Sequence, residues 1–392
     1  MLLFALLLSF SVNATIYNVN FCAEYSIDFD DAHSGVGDDY FQTNSNVPAR
    51  GAFFHIEDIF SNYVHYDTYT DWDGSTPGCT GGVPLDSTKY YRVTVYSKAL
   101  VNGNYVRVLS DDSSDNLYGY QKYSNYHPFS STTDIFPIPI ASQWNIAAAA
   151  GWAMYRRPVG LSGETFKLYT QACDGGGSCR DGNSSKISVW GANHKYVINH
   201  EFGHLVAYRK NGNVAPTSAY DAPSGVCYTD SDEDHEAVSK EFQGAAASEG
   251  FAHYYAAVSF NRTDEYDCGF AYYKPTDWNL DLTTDPTDVS CELEPFSGVL
   301  NIDYLGNWCD GTLGNRGTEW DWLRFLWDLD TDEGVTTTTI FDIYDSSNPG
   351  SWTVRGTGSG GSYPSARLRA AADTEGVLAE WDAWDNTNGV HR

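Results

Sequence analysis

Between Thr15 and Ile135, apolar and polar residues alternate with a period of two in short runs: Tyr17-Asn-Val-Asn-Phe21, Gly51-Ala-Phe-Phe-His-Ile56, Tyr90-Tyr-Arg-Val-Thr-Val-Tyr96 and Tyr105-Val-Arg-Val-Leu109. Side chains two apart share one face of a strand. The runs are rich in β-branched and aromatic residues and are separated by Gly, Asp, Asn and Pro, so residues 15–135 are expected to form a small all-β sandwich. Asn102-Gly103-Asn104, between two runs, predicts a hairpin turn. Pro137-Ile-Pro139 then marks a boundary, because each proline biases its predecessor away from helix. Beyond it the period changes. Trp144, Ala148, Gly151 and Tyr155 recur at helical spacing, which predicts an amphipathic helix over 142–157 stopped by Pro158. Strands are expected at 165–170 and 186–190, and helices at 194–210, 240–259, 318–329 and 376–384. Helices and strands mixed without regular βαβ alternation make residues 136–392 an α+β region.

The start of the chain departs from both grammars. Met1-Leu-Leu-Phe-Ala-Leu-Leu-Leu-Ser-Phe10 is an apolar run too short to cross a bilayer, and it leads to small residues at Val12-Asn13-Ala14. Residues 1–14 therefore read as a signal peptide, with Thr15 opening the mature chain. No other stretch approaches ~18 uncharged apolar residues, so no membrane anchor is expected. The chain is expected to be secreted, to an extracellular or periplasmic space.

Charge and cysteine content narrow the partners. With 52 acidic residues against 23 Lys and Arg, the net charge of −29 repels phosphate backbones and excludes nucleic acid as a partner. A hydrophobic fraction of 42% supplies ample core and excludes general disorder. Eight cysteines in a chain with an export-like start suggest a disulfide framework. Proximity pairs Cys173 with Cys179, Cys268 with Cys291 and Cys22 with Cys79, leaving Cys227 for Cys309. None stands in the close CxxC pairs of a structural zinc site.

The chemistry is concentrated in His200-Glu201-Phe202-Gly203-His204, inside the helix expected at 194–210. Histidines at i and i+4 stand one above the other on a helix face, so both imidazoles can reach one zinc ion. The glutamate at i+1 is rotated away from the ligand line and can take a proton from a water that the metal has acidified. With 10 His in 392 residues, the pattern arises by chance on the order of 0.01 times. Val197, Ile198, Phe202, Leu205 and Val206 supply a buried flank, and Asn211-Gly-Asn213 ends the helix.

This pentapeptide resembles the HExxH helix of the zincin metallopeptidases. Metzincins continue HExxHxxGxxH, whereas Ala207 and Lys210 stand at the matching positions here. Gluzincins instead take a glutamate from a later helix, usually within ExxxD, and Ala247-Ser-Glu249-Gly-Phe-Ala-His253-Tyr-Tyr-Ala256 is similar to that helix. The resemblance implies a zincin-like peptidase domain over residues 136–392, with zinc held by His200, His204 and Glu249. The small residues Ala245, Ala246, Ala247, Gly250 and Ala252 would let the two helices approach. His253 replaces the family's aspartate and can accept a hydrogen bond from a ligand imidazole. Competing third ligands are Glu241 and the acidic run holding His235 and Glu236.

The function implied is a secreted zinc metallopeptidase of the endopeptidase kind, with Glu201 as general base and a protein or peptide as substrate. The alternative is a non-catalytic exported binding or adhesion protein on a zincin scaffold, in which Glu201 has no physical task. The strand ending Ser188-Val189-Trp190-Gly191 would offer an edge to an extended substrate. Tyr208, Tyr254, Tyr255 and Tyr304 are candidate donors to the oxyanion. Asp328-Leu-Asp330-Thr-Asp332-Glu-Gly334 has carboxylates at the first, third and fifth places of a Ca2+ loop, but its glycine falls at seven and Thr339 stands at twelve.

Overall fold

The period-two runs fold as strands of two sheets. The computed structural model describes residues 14–29, 45–217, 241–260, 316–353 and 363–384. The signal-like segment, Cys227, Cys268, Cys291, Cys309, His235, Glu236 and Tyr304 lie outside the described residues. In chain order the first strands are β1 (Ile16–Ile27), β2 (Ser45–Pro48), β3 (Ala52–Asp58), β4 (Tyr63–Tyr69), β5 (Cys79–Asp86), β6 (Tyr91–Val101), β7 (Asn104–Leu109), β8 (Gly119–Tyr126) and β9 (Thr132–Ile138). They are followed by helix α1 (Ser142–Arg156) and then β10 (Thr165–Tyr169), β11 (Cys179–Asp181) and β12 (Ser184–Lys186).

One sheet has β1 at its centre, antiparallel to β2 and β5 and parallel to β9. The other runs β11-β12-β10-β7-β6-β3-β4, with β8 also paired to β6. The sheets pack face to face through aromatic rings. Phe21 of β1 lies 5.9 Å from Phe54 of β3, and Phe136 of β9 stands edge-on to Phe54 at 5.2 Å. The expected hairpin is present: Val101 pairs with Asn104, and the two residues between them take positive φ, 48° at Asn102 and 73° at Gly103. Disulfides link Cys22 to Cys79, between β1 and β5, and Cys173 to Cys179.

The second sheet continues past Pro137-Ile-Pro139. β10 pairs parallel with β7, from Thr165 opposite Tyr105 to Tyr169 opposite Leu109, so strands from both sides of the expected boundary share one ladder. Helix α1 makes the connection. It is not amphipathic as its spacing suggested: every residue from Trp144 to Met154 is buried. A helix apolar all round lies in an interior, and this one runs beneath the sheet. Its polar atoms are used in docking other helices. Asn199 Nδ2 donates to the Ala149 carbonyl at 3.3 Å, and Trp152 Nε1 donates to the Ser259 carbonyl at 2.9 Å.

The strand expected at 186–190 is shorter and sits elsewhere. β12 ends at Lys186, and residues 187–190 leave the sheet before a 3-10 turn at Gly191–Asn193. β12 is also paired on both sides, so among the described residues the unpaired edge at this end of the sheet belongs to β11. The remaining helices are α2 (Lys195–Lys210), α3 (Gln243–Phe260), α4 (Glu319–Thr331), α5 (Thr337–Ser346), α6 (Pro364–Thr374) and α7 (Leu378–Trp384). A two-residue ladder of β13 (Glu241–Phe242) with β14 (Arg316–Gly317) ties the start of α3 to the start of α4. The molecule is an α+β fold. Among the described residues no helix is long and apolar enough to cross a membrane.

Candidate metal centre

Burial along α2 leaves one open stripe. Up to Tyr208, the positions not fully buried are Val197, His200, His204 and Tyr208, spaced three or four apart and therefore on one face. Val197 thus belongs to the open face rather than the buried flank. On the opposite side, Phe202 packs edge-on to Phe166 of β10 at 5.4 Å, and the Glu201 carbonyl accepts a bond from Ser185 Oγ at 2.8 Å. The Glu201 side chain lies between these two faces, and the residue is buried.

Helix α3 is buried along nearly its whole length; only Ser248 and His253 are partly open. Such a helix carries polar side chains at a cost unless each finds a partner. The tight contact with α2 is made by small residues. A Cβ on Gly203 would lie 3.3 Å from the Ala252 Cα and 3.2 Å from a Tyr255 ring carbon. Glycine inside a helix costs about 1 kcal/mol relative to alanine, and here it admits the neighbouring helix.

This approach brings three donor atoms together. Glu249 Oε2 lies 3.0 Å from His200 Nε2 and 2.8 Å from His204 Nε2, and the two Nε2 atoms are 3.2 Å apart. A tetrahedral shell with bonds of about 2.05 Å separates its ligand atoms by about 3.3 Å, so the cluster already has nearly the dimensions of one. The donor chemistry agrees. Two imidazole nitrogens and a carboxylate oxygen crowded into a buried corner form a negative, lone-pair-rich centre that a divalent cation satisfies. The group could hold a metal ion, and among the described residues it is the one cluster of three such side chains. Glu241, the competing ligand on the same segment, is instead buried in the β13–β14 ladder opposite Gly317.

Behind the cluster stands His253, one turn after Glu249. Its Nδ1 is 3.2 Å from His200 Nδ1, and its Nε2 is 3.0 Å from Glu319 Oε2. Burial, and secondarily the charge of His200, lower the His253 pKa to about 4 against the opposing pull of Glu319 and Glu249, so the ring is neutral near pH 7. Glu319 was not singled out in the sequence. The signal available was Thr318, which caps α4 by accepting from the Asp321 N–H at 3.3 Å, with acidic residues in the first turn.

The tyrosines separate by position. Tyr208 continues the open stripe of α2, and Arg180 of β11 lies 5.1 Å over its ring. Tyr254 is fully buried and donates to Asp330 Oδ2 at 2.7 Å, on another side of α3. Tyr255 is fully buried against Gly203. The calcium-loop pattern does not form a loop: Asp328 and Asp330 belong to α4, and Asp330 is engaged by Tyr254 with Arg157 at 3.9 Å. Comparison with protein-family models, with curated proteins and with solved structures finds no match for this chain.

Proposed function

We propose that the chain is an exported zinc-dependent peptidase of the gluzincin type, in which His200, His204 and Glu249 hold the metal and Glu201 is the general base. The observation that carries this reading is the convergence of two Nε2 atoms and one carboxylate oxygen within 3.2 Å of one another at the junction of α2 and α3. The donor set suits zinc, which accepts imidazole and carboxylate in a four-coordinate site. When bound there, the ion would polarise a scissile carbonyl and acidify a water.

The protein's own groups do the rest. Glu201, adjacent in sequence to His200 and displaced around the helix from the ligand line, accepts the proton of the attacking water and returns it to the leaving amine. Tyr208, one turn beyond His204 on the open stripe, is the described tyrosine best placed to donate to the developing oxyanion. The edge of β11, unpaired among the described residues, offers backbone groups to which an extended peptide can add as a strand, replacing the 188–191 segment in that role. Export agrees with the two disulfides and with the apolar first residues of the sequence.

The test is metal content and casein hydrolysis of the purified protein beside Glu201→Gln and Glu249→Ala. The first variant is expected to keep the metal and lose turnover, the second to lose metal affinity. Wild-type activity in Glu201→Gln would overturn the mechanism and leave the binding-protein alternative. Undiminished metal binding in Glu249→Ala would reassign the third ligand.

A further inference from the structure

The three ligand side chains do not by themselves settle which nitrogen of each ring presents a lone pair. His200 can bind a cation through Nε2 only if its proton sits on Nδ1. The hydrogen bonds behind it form an ordered line: Glu319 Oε2, then His253 Nε2 at 3.0 Å, then His253 Nδ1 to His200 Nδ1 at 3.2 Å, then His200 Nε2 facing Glu249 and His204. The His200 Nδ1 proton needs an acceptor, and His253 Nδ1, 3.2 Å away, accepts it only when the His253 proton sits on Nε2, where Glu319 Oε2 at 3.0 Å receives it. His200 Nε2 is left bare on the metal side. Each assignment forces the next.

The fold holds the far end of this line in place by three separate means. Glu319 is the first residue of α4, where the helix N-terminus favours a negative charge. The β13–β14 ladder pins the entry to α4 against the entry to α3, with Glu241 opposite Gly317. Gly250, three residues before His253, lets α4 settle onto α3: a Cβ there would fall 2.5 Å from the Glu319 carbonyl oxygen and 2.4 Å from the Trp322 Cβ. The Glu319 side chain is 1% exposed, too deep to serve as a solvated surface charge.

We propose that Glu319 is a positioning residue of the metal centre, which through His253 fixes His200 in the tautomer whose Nε2 faces Glu249 and His204. It lies 70 residues downstream of Glu249 and reaches the centre through His253. The proposal rests on the reading of His200, His204 and Glu249 as metal ligands. Losing an outer partner of this kind lowers metal affinity roughly 10–100-fold.

Zinc affinity, measured by chelator competition on the full chain, is compared for wild type, His204→Ala, Glu319→Ala, Glu319→Gln and Glu319→Asp. Expected are near-complete loss in His204→Ala, a roughly 10–100-fold loss in Glu319→Ala, and an intermediate value in Glu319→Asp, which keeps an accepting group on a shorter arm. A second measurement uses zinc-loaded wild-type protein and needs no substitution beyond one for assignment. Two-bond 1H–15N spectra of histidine-labelled protein, with His253 assigned by its absence in His253→Gln, should show the proton of His253 on Nε2 and that of His200 on Nδ1. A His253 proton on Nδ1, or zinc affinity in Glu319→Ala equal to wild type while His204→Ala has lost it, overturns the positioning role alone. Unchanged affinity in His204→Ala overturns the metal centre itself.

Discussion

Gly250 and Trp322 meet so closely that a Cβ added to Gly250 would stand 2.4 Å from the Trp322 Cβ, with the Glu319 carbonyl oxygen 2.5 Å away. That contact sets the distance between α3 and α4, and with it the reach from His253 to Glu319. Gly250→Ala should therefore destabilise the protein by about 1–3 kcal/mol despite the better helix propensity of alanine. It should also lengthen the bond behind His200 and weaken metal binding. Denaturant melts of chelated protein separate the two effects; a variant as stable as wild type would mean that α4 can back away at little cost.

Metal removal should show itself in stability as well as turnover. A ligand bound only by the folded state stabilises it by about 4 kcal/mol at a thousandfold excess over its dissociation constant. A chelator is expected to lower the melting temperature of wild type and to leave that of Glu249→Ala where it was. Equal shifts in both proteins would place the responsible ion elsewhere.

The Cys22–Cys79 bridge closes a 57-residue separation, which in the chain-entropy account corresponds to about 4 kcal/mol, whereas the six-residue Cys173–Cys179 separation corresponds to about 2 kcal/mol. The Cys22→Ser/Cys79→Ser pair should accordingly cost the more stability in urea titration. A smaller loss than from Cys173→Ser/Cys179→Ser would contradict that ordering.

Asp330 gives a pH dependence with a definite sign. Burial is the largest influence on it and raises its pKa above the usual 3.8, against Arg157, Tyr254 and Thr337. The folded state therefore holds this proton more tightly than the unfolded chain. The stabilisation is fully present below the unfolded pKa and is lost as pH rises through the folded one. The melting temperature of Asp330→Asn minus that of wild type should grow more positive between about pH 3 and pH 7. A difference falling over that interval would show the carboxylate to be held ionised by Arg157.

Much of this arrangement was legible in the residues, for reasons that differ by element. The strands around Phe54, Val95 and Val106 were readable because one face of each is buried, which makes the period of two visible. The histidine pair was readable because His200 and His204 share a helix face by spacing alone. Glu249 is legible through the resemblance of its segment to the gluzincin ligand helix; the small residues around it act on different sides, Ala252 meeting Gly203 of α2 and Gly250 meeting α4. Helix α1 was misjudged as amphipathic because a fully buried helix loses its polar face and with it the periodic signal. Residues 187–190 looked like a strand because Ile187 and Val189 alternate with polar neighbours, yet Val189 and Trp190 are 73% and 63% exposed in a turn. Glu319 was invisible for a plainer reason: its meaning depends on a contact 66 residues away that no local pattern encodes.

The parallel ladder between β7 and β10 has a practical consequence. Cutting the chain ahead of Ser142 would strip β10 of the strand on one flank and uncover the apolar underside of α1. The amino-terminal sheets are thus not a detachable segment whose release could leave the rest of the fold intact. If the proposed peptidase is held latent, the control has to act by some means other than shedding them.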